Sequence, residues 1–225
     1  MRTKIFCNLL LLAVSLLVLP QLALAQPVRQ DTKFHAVPDA KLQIRAVEYD
    51  GSVNGTLKVE VKNTDTTAHA FIATGLYFVP QGDPNTAPQR LAAVGPMHQD
   101  GNERTQVDVP PGGTVVVALD VFCIDSHRGA PTTANRFDVG TSRMPAELSR
   151  DIGMNADHAV AETKSANPSA AASAVRPMAK SAIQSGVWEA RDKAWKKLDG
   201  DGAQETERTA PPQQRVERMP TPAPK

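Results

Sequence analysis

The sequence predicts a mainly β protein: an immunoglobulin-like antiparallel sandwich with a C-terminal amphipathic helix packed on it and a disordered tail. Three observations lead there. Segments with a two-residue apolar period, each bounded by turn residues, recur through the first half of the chain with no helical pattern between them. Residues 115–124, the longest apolar run after the N-terminal leader, are apolar on both alternating faces except at Asp120. Near the C-terminus, Ile183, Val187, Ala190, Ala194 and Leu198 recur at three- and four-residue spacing, with Trp188 and Trp195 beside that stripe.

Residues 1–25 read as a secretory signal peptide. Arg2 and Lys4 precede an apolar stretch, and Ala23-Leu24-Ala25 is a small-x-small cleavage site. The expected mature chain begins at Gln26, is secreted into the periplasm, and keeps no membrane span after cleavage. Losing two basic and no acidic residues takes the formal charge from +1 to −1. A near-neutral chain without a basic block gives no electrostatic case for nucleic acid or anionic lipid. Cys7 leaves with the leader, so Cys123 has no partner for an intramolecular disulfide and the fold rests on its core.

The elements follow in order. Residues 26–40 are a polar lead-in. A sandwich with its following loop is expected over residues 41–152. Leu42, Ile44 and Ala46 share one face of a first strand, and Leu57, Val59 and Val61 alternate with Lys58, Glu60 and Lys62 in a second. Asp50-Gly51 and Asn54-Gly55 between them mark a hairpin. Residues 68–79 form a third strand, and residues 90–94 and 104–109 two short ones. Pro110-Pro111-Gly112-Gly113 then turns the chain into the long apolar strand that ends at Cys123. Because that strand is apolar on both faces, something beyond a second sheet must cover it.

Residues 126–152 read as loop with one helical turn after Pro145, and residues 153–176 as a flexible Ala-rich linker. The docked helix is expected over residues 177–199, opened by Pro177 and stopped by Gly200. Residues 200–225, rich in Pro, Gln and charge, read as the disordered tail.

Chemistry gathers at the end of the central strand. Cys123 followed by Asp125, His127 and Arg128 has the ingredients of a nucleophile with a base and an anion clamp. The same cysteine also continues an apolar face, as a small buried hydrophobe does. A metal site from Cys123 and His127, with Met97-His98 or Met154 and His158, lacks a fourth ligand at defined spacing. Asp199-Gly200-Asp201-Gly202 opens like a calcium loop but has Ala203, Gln204 and Ala210 where ligands or glycine are required. No cofactor is expected.

Val109-Pro110 with Gly112, Cys123-Ile124-Asp125, Arg128, Phe137, Pro145 with Leu148, and Gln184 with Val187-Trp188 together carry a family likeness. Across residues 109–195 the chain resembles the small bacterial domain named for its association with rhodanese and phosphatase superfamily proteins. That resemblance implies the fold but no settled activity. The export leader and the Ala-rich insertion depart from it. Phe122-Cys123-Ile124 and Ile183-Gln184 with Val187-Trp188 are also similar, more distantly, to the motifs of bacterial thioester adhesin domains. In those the cysteine thiolate displaces ammonia from the glutamine side chain, and the resulting ester captures an amine. Gln184 here lacks the preceding Thr of that pattern.

The expected function is a non-catalytic binding or envelope-associated module for an unknown protein or envelope ligand, with Asp125, Arg128 and Trp188 as binding residues. The alternative is covalent chemistry at Cys123, as a thioester with Gln184 or as a nucleophile assisted by His127.

Overall fold

The computed structural model describes residues 30, 32–193 and 195–209. The signal peptide and residues 210–225 of the expected tail therefore lie outside the described residues. In chain order the strands are β1 (His35–Ala36), β2 (Leu42–Tyr49), β3 (Thr56–Asn63), β4 (His69–Phe71), β5 (Tyr77–Pro80), β6 (Leu91–Gln99), β7 (Asn102–Arg104), β8 (Val107–Val109), β9 (Thr114–Cys123) and β10 (Phe137–Val139). The helices are α1 (Ala146–Ala166), α2 (Ala172–Lys193) and α3 (Ala203–Thr209).

The predicted hairpin is β2–β3, with Ile44 opposite Val61 and Ala46 opposite Val59. Asp50 shapes its turn by accepting hydrogen bonds from the backbone N–H groups of Ser52 and Thr56. The expected third strand is two, β4 and β5, broken at Gly75, which has φ +78°. β6 runs on past Val94 because a bulge absorbs Gly95 (φ +91°) and Pro96, shifting the register with β9 between Ala93 and Met97.

Most strands join one antiparallel sheet in the order β1-β2-β3-β9-β6-β5-β10, with β7 beside β6, while β4 and β8 form a separate pair. β10 returns against β2, so the large sheet nearly closes into a barrel. Gln30 bridges that seam: its backbone N–H donates to Val47 C=O, its Nε2 donates to Asn135 C=O, and its Oε1 accepts from Phe137 N–H. Tyr49 and Phe137 meet across it edge to face at 5.3 Å. The layout is thus one curled sheet rather than two facing ones, because β9 pairs on both sides and leaves no break between layers.

β9 is central and two-faced. Val117, Leu119, Val121 and Cys123 point into the barrel interior with Ile44, Leu57 and Phe137. Phe122 and Ile124 point outward onto Leu148 and Ile152 of α1 and Ile183 and Val187 of α2. Each such side chain contributes about 1.5–3 kcal/mol when fully buried. The cover begins only halfway along, for Val116 is 52% exposed. Asp120, the polar exception on that face, accepts from Arg176 Nε of α2 at 3.1 Å and has Lys180 Nζ at 3.5 Å.

Three expectations need correction. The end of the expected loop and most of the Ala-rich linker are α1, whose buried Leu148, Ile152, Ala156 and Ala159 form one stripe across the expected boundary. Alanine is the strongest helix former and its small side chain lets helices approach closely. At Gly186 of α2 an added Cβ would stand 2.9 Å from Asn155 Cβ of α1, and Asn155 Nδ2 donates to Gly186 C=O. Secondly, α2 starts at Ala172, encloses Pro177, and ends at Lys193, so Trp195 and Leu198 lie beyond it. Thirdly, residues 203–209 of the expected tail are helical, and Glu205 is buried.

Candidate functional site

Past Asp120, β9 loses β3 as a neighbour, and Val121 and Cys123 donate instead to the carbonyls of Gly55 and Val53. Gln184 completes that edge from α2. Its Oε1 accepts from Cys123 N–H at 3.0 Å and its Nε2 donates to Cys123 C=O at 2.7 Å. The carboxamide serves as a one-residue strand and ties the helix to the sheet. The structure therefore brings Cys123 and Gln184 together, amide to main chain, while the thiol belongs to the barrel interior. Burial, and then the charge of Asp125, push that thiol up to about 12. Replacing Gln184 by alanine leaves Cys123 C=O short of a partner and is expected to cost about 1–2 kcal/mol. The urea unfolding midpoint of Gln184→Ala measures it.

Two residues on, Asp125 anchors a buried network of charges. Its Oδ2 accepts from Arg90 Nε at 2.7 Å and from Arg90 N–H at 3.2 Å, and its Oδ1 accepts from Arg90 Nη2 at 2.6 Å. Neither side chain is solvent-exposed. Arg90 Nη1 donates further to Asp201 Oδ1 and to Asp199 C=O. Burial pushes the Asp125 carboxyl upward, but the hydrogen bonds and charge of Arg90, and then the charge of Arg191, hold it below the usual range. Arg90 itself is raised, since Asp125 and Asp201 outweigh the cost of its burial.

A second carboxylate, Glu205 of α3, closes the other side. Its Oε1 accepts from Arg128 Nε at 2.5 Å and from His127 Nε2 at 2.7 Å, and its Oε2 accepts from Gly202 N–H. The burial penalty on Glu205 is outweighed by Arg128 and then His127, and its carboxyl falls to about 2. An ionised Glu205 requires the proton on Nε2 of His127. Arg128 Nη2 donates to Gly200 C=O. Arg191, from the last turn of α2, lies with its guanidinium carbon 4.0 Å from the centre of the Trp195 ring, and the His127 ring is 5.5 Å from the same indole.

A cavity of about 420 Å³ opens at this pole, with Asn85, Thr86, His127, Arg128, Ala203 and Glu205 in its wall. A larger groove of about 780 Å³, lined by Gly75, Met144 and Met154 among others, runs along α1 and shares no residue with the charged network. Trp188 donates from Nε1 to Oε1 of Gln89, the residue before Arg90, at 3.1 Å.

Asp125, His127 and Arg128 are thus in one network, Gln184 is at its edge, and Trp188 is beside it. Arg90, Arg191 and Glu205, which carry no sequence motif, complete the network with Asp201 of the Asp-Gly-Asp-Gly segment. The Asp-Gly-Asp-Gly segment that resembles a calcium loop spends its carboxylates locally: Asp199 accepts from the backbone and hydroxyl of Thr141, and Asp201 from Arg90 and Leu198 N–H. Cys123 faces the interior while His127 pairs with Glu205, and Met154 is exposed. Among the described residues no three His, Cys, Asp or Glu side chains are grouped to hold a metal ion. No described helix is long and apolar enough to cross a membrane.

In comparisons with known proteins, no family model matches the chain and no curated protein matches it.

Proposed function

We propose that the protein is a secreted, non-catalytic binding module of the bacterial envelope, acting through the pole where β9 ends. The observation that carries this is the condition of Cys123. The residue is 0% exposed, its thiol is pushed up to about 12, and the Gln184 carboxamide beside it is engaged at both ends by the Cys123 main chain. A nucleophilic cysteine needs thiolate and access. The polar cavity at His127 and Arg128 instead offers a charged recess for a ligand.

We propose membership of the small bacterial domain family named for rhodanese and phosphatase association on the same pole. Its motif residues Cys123, Asp125, Arg128 and Gln184 lie within one hydrogen-bonded neighbourhood here.

Intact mass spectrometry of the exported protein tests the reading in one measurement. The expected mass starts at Gln26 and is otherwise unmodified, with a Cys123 thiol that reacts with a disulfide reagent only after unfolding. A loss of about 17 Da that maps to Cys123 and Gln184, from ammonia released in thioester formation, overturns it, whereas the same loss at Gln26 is cyclisation of an N-terminal glutamine. So does a turnover abolished by Cys123→Ala. A mass that includes residues 1–25 removes the secreted placement.

A further inference from the structure

The cavity-lining pair His127 and Arg128 belongs to a cluster of buried nitrogen atoms without a hydrogen-bond partner, which also includes Arg191 and Trp195 behind the cavity wall. Among the described residues, the buried side-chain polar atoms without a partner are His127 Nδ1, Arg128 Nη1, Arg191 Nε, Arg191 Nη2 and Trp195 Nε1. All belong to four residues linked to one another by ring contact, by the cation over Trp195, or through Glu205. Four of the five atoms are obligate donors, and the histidine nitrogen becomes one on protonation. Buried polar groups are ordinarily hydrogen-bonded, so a concentration of donors calls for an acceptor-rich occupant.

Arg191 defines the kind. Its Nη1 donates to Lys196 C=O, which leaves Nε and Nη2. Those two N–H groups form the edge of a guanidinium that grips two oxygens of a carboxylate or phosphate side by side. The nearest acid, Asp125, stands 3.8 Å from Nε, beyond hydrogen-bonding distance, and is already held by Arg90 on both oxygens. The Arg191 side chain is 0% exposed. Burial pulls its pKa down to about 10, with Asp125 opposing, so it remains a cation at neutral pH whose nearest carboxylate is shared with Arg90.

We propose that this pole is an oxyanion-binding site, in which the Nε–Nη2 edge of Arg191 grips the anion and Trp195 Nε1 and Arg128 Nη1 supply further donors. The anion is a free phosphate or sulfate, or the carboxylate of a larger ligand that fills the cavity in front of His127. Glu205 and Asp125 set the limit on charge. Asp125 and Asp201 are paired with Arg90, and Glu205 with Arg128, so recognition of the anion rests on the unpartnered donors rather than on an excess of positive charge. This inference rests on reading the pole as a binding site.

The test uses the full mature chain and the indole N–H signals of its two tryptophans. Trp188 donates to Gln89 and serves as the internal control. Inorganic phosphate is titrated to about 20 mM at constant ionic strength, with a parallel thermal-unfolding series. The expected result is a saturable movement of the Trp195 signal alone, with a saturable rise in the unfolding midpoint. Sulfate and acetate arms distinguish a tetrahedral from a planar anion. Trp195→Phe keeps the ring under Arg191 and removes one donor, and is expected to weaken the midpoint response roughly three- to tenfold. Arg191→Lys, followed by its Trp195 signal, is expected to abolish the saturable response. An unmoved Trp195 indole in all three anions, with only a linear salt effect on the midpoint, overturns the inference and leaves water as the occupant. That outcome with an intact mass and a buried free thiol removes the anion alone. Ammonia lost at Cys123 and Gln184 removes the module reading whatever the indole does.

Discussion

Replacing Asp125 by alanine is expected to cost about 3–5 kcal/mol of folding free energy, the largest single-residue effect in the molecule. The figure follows from what the substitution strands. Arg90 loses three hydrogen bonds and its nearest counter-charge at a position with no solvent access, and Arg191 loses its closest carboxylate. Burying an unpaired guanidinium costs several kcal/mol even after local relaxation. Asp201 and Asp199 C=O still hold Arg90 Nη1, so the arginine is weakened rather than released. The double variant Arg90→Met with Asp125→Leu removes the desolvation of both charges and is expected to recover most of the loss. Urea unfolding of the three proteins measures this. If Asp125→Ala loses less than about 1 kcal/mol, water reaches Arg90 and the pair is not the anchor described.

Acid is the second strong lever. Asp125 and Glu205 both titrate below their ordinary values in the folded chain, Glu205 at about 2. The unfolded chain therefore takes up these protons first as pH falls. The stabilisation they confer is complete above the ordinary carboxylate range, near pH 4.5, and drains away as pH drops towards about 2. Glu205 alone is expected to account for up to about 3 kcal/mol lost across that window, and Asp125 adds a loss of the same sign. Glu205→Gln is expected to lower stability at neutral pH and to flatten the acid limb. Unfolding midpoints measured from pH 6 downward check both. Parallel acid limbs for the variant and the parent would falsify the role of Glu205.

The strands were legible because their signal is local. β2, β3 and β9 show the two-residue period in residues adjacent in sequence, and the turn residues at Asp50 and Gly55 mark where the hairpin bends. The need for an outer cover on β9 was legible for the same reason, and α2 supplies it through Ile183 and Val187. α1 was hidden by composition. Its stripe uses two alanines where larger residues would have marked a face, and an Ala-rich run reads equally as linker and as close-packed helix. The curling of the sheet into one nearly closed layer was not legible either, since it depends on Gln30 and Phe137 meeting across the chain.

The site divides along the same line. Asp125, His127 and Arg128 stand out as a polar cluster after an apolar strand. Their counter-charges do not, because ion pairs between distant residues leave no period or spacing. Arg90 reads as the start of a short strand, and Asp201 and Glu205 fall in a stretch whose average composition is that of a solvated tail. Average composition conceals single buried acids. Arg191 is concealed in the opposite way, as one more cation in the last turn of a helix, where basic residues are ordinary.

The order of these residues along the chain also governs when folding can finish. Asp201 lies 111 residues after Arg90, and Glu205 lies 77 residues after Arg128. A chain that emerges N-terminus first completes its strands while the arginines at their ends still lack those partners. Contacts of such long sequence separation form late, because a large loop must close before they return any energy. Docking of α3 is therefore expected to be the closing step of assembly at this pole rather than an appendage to it.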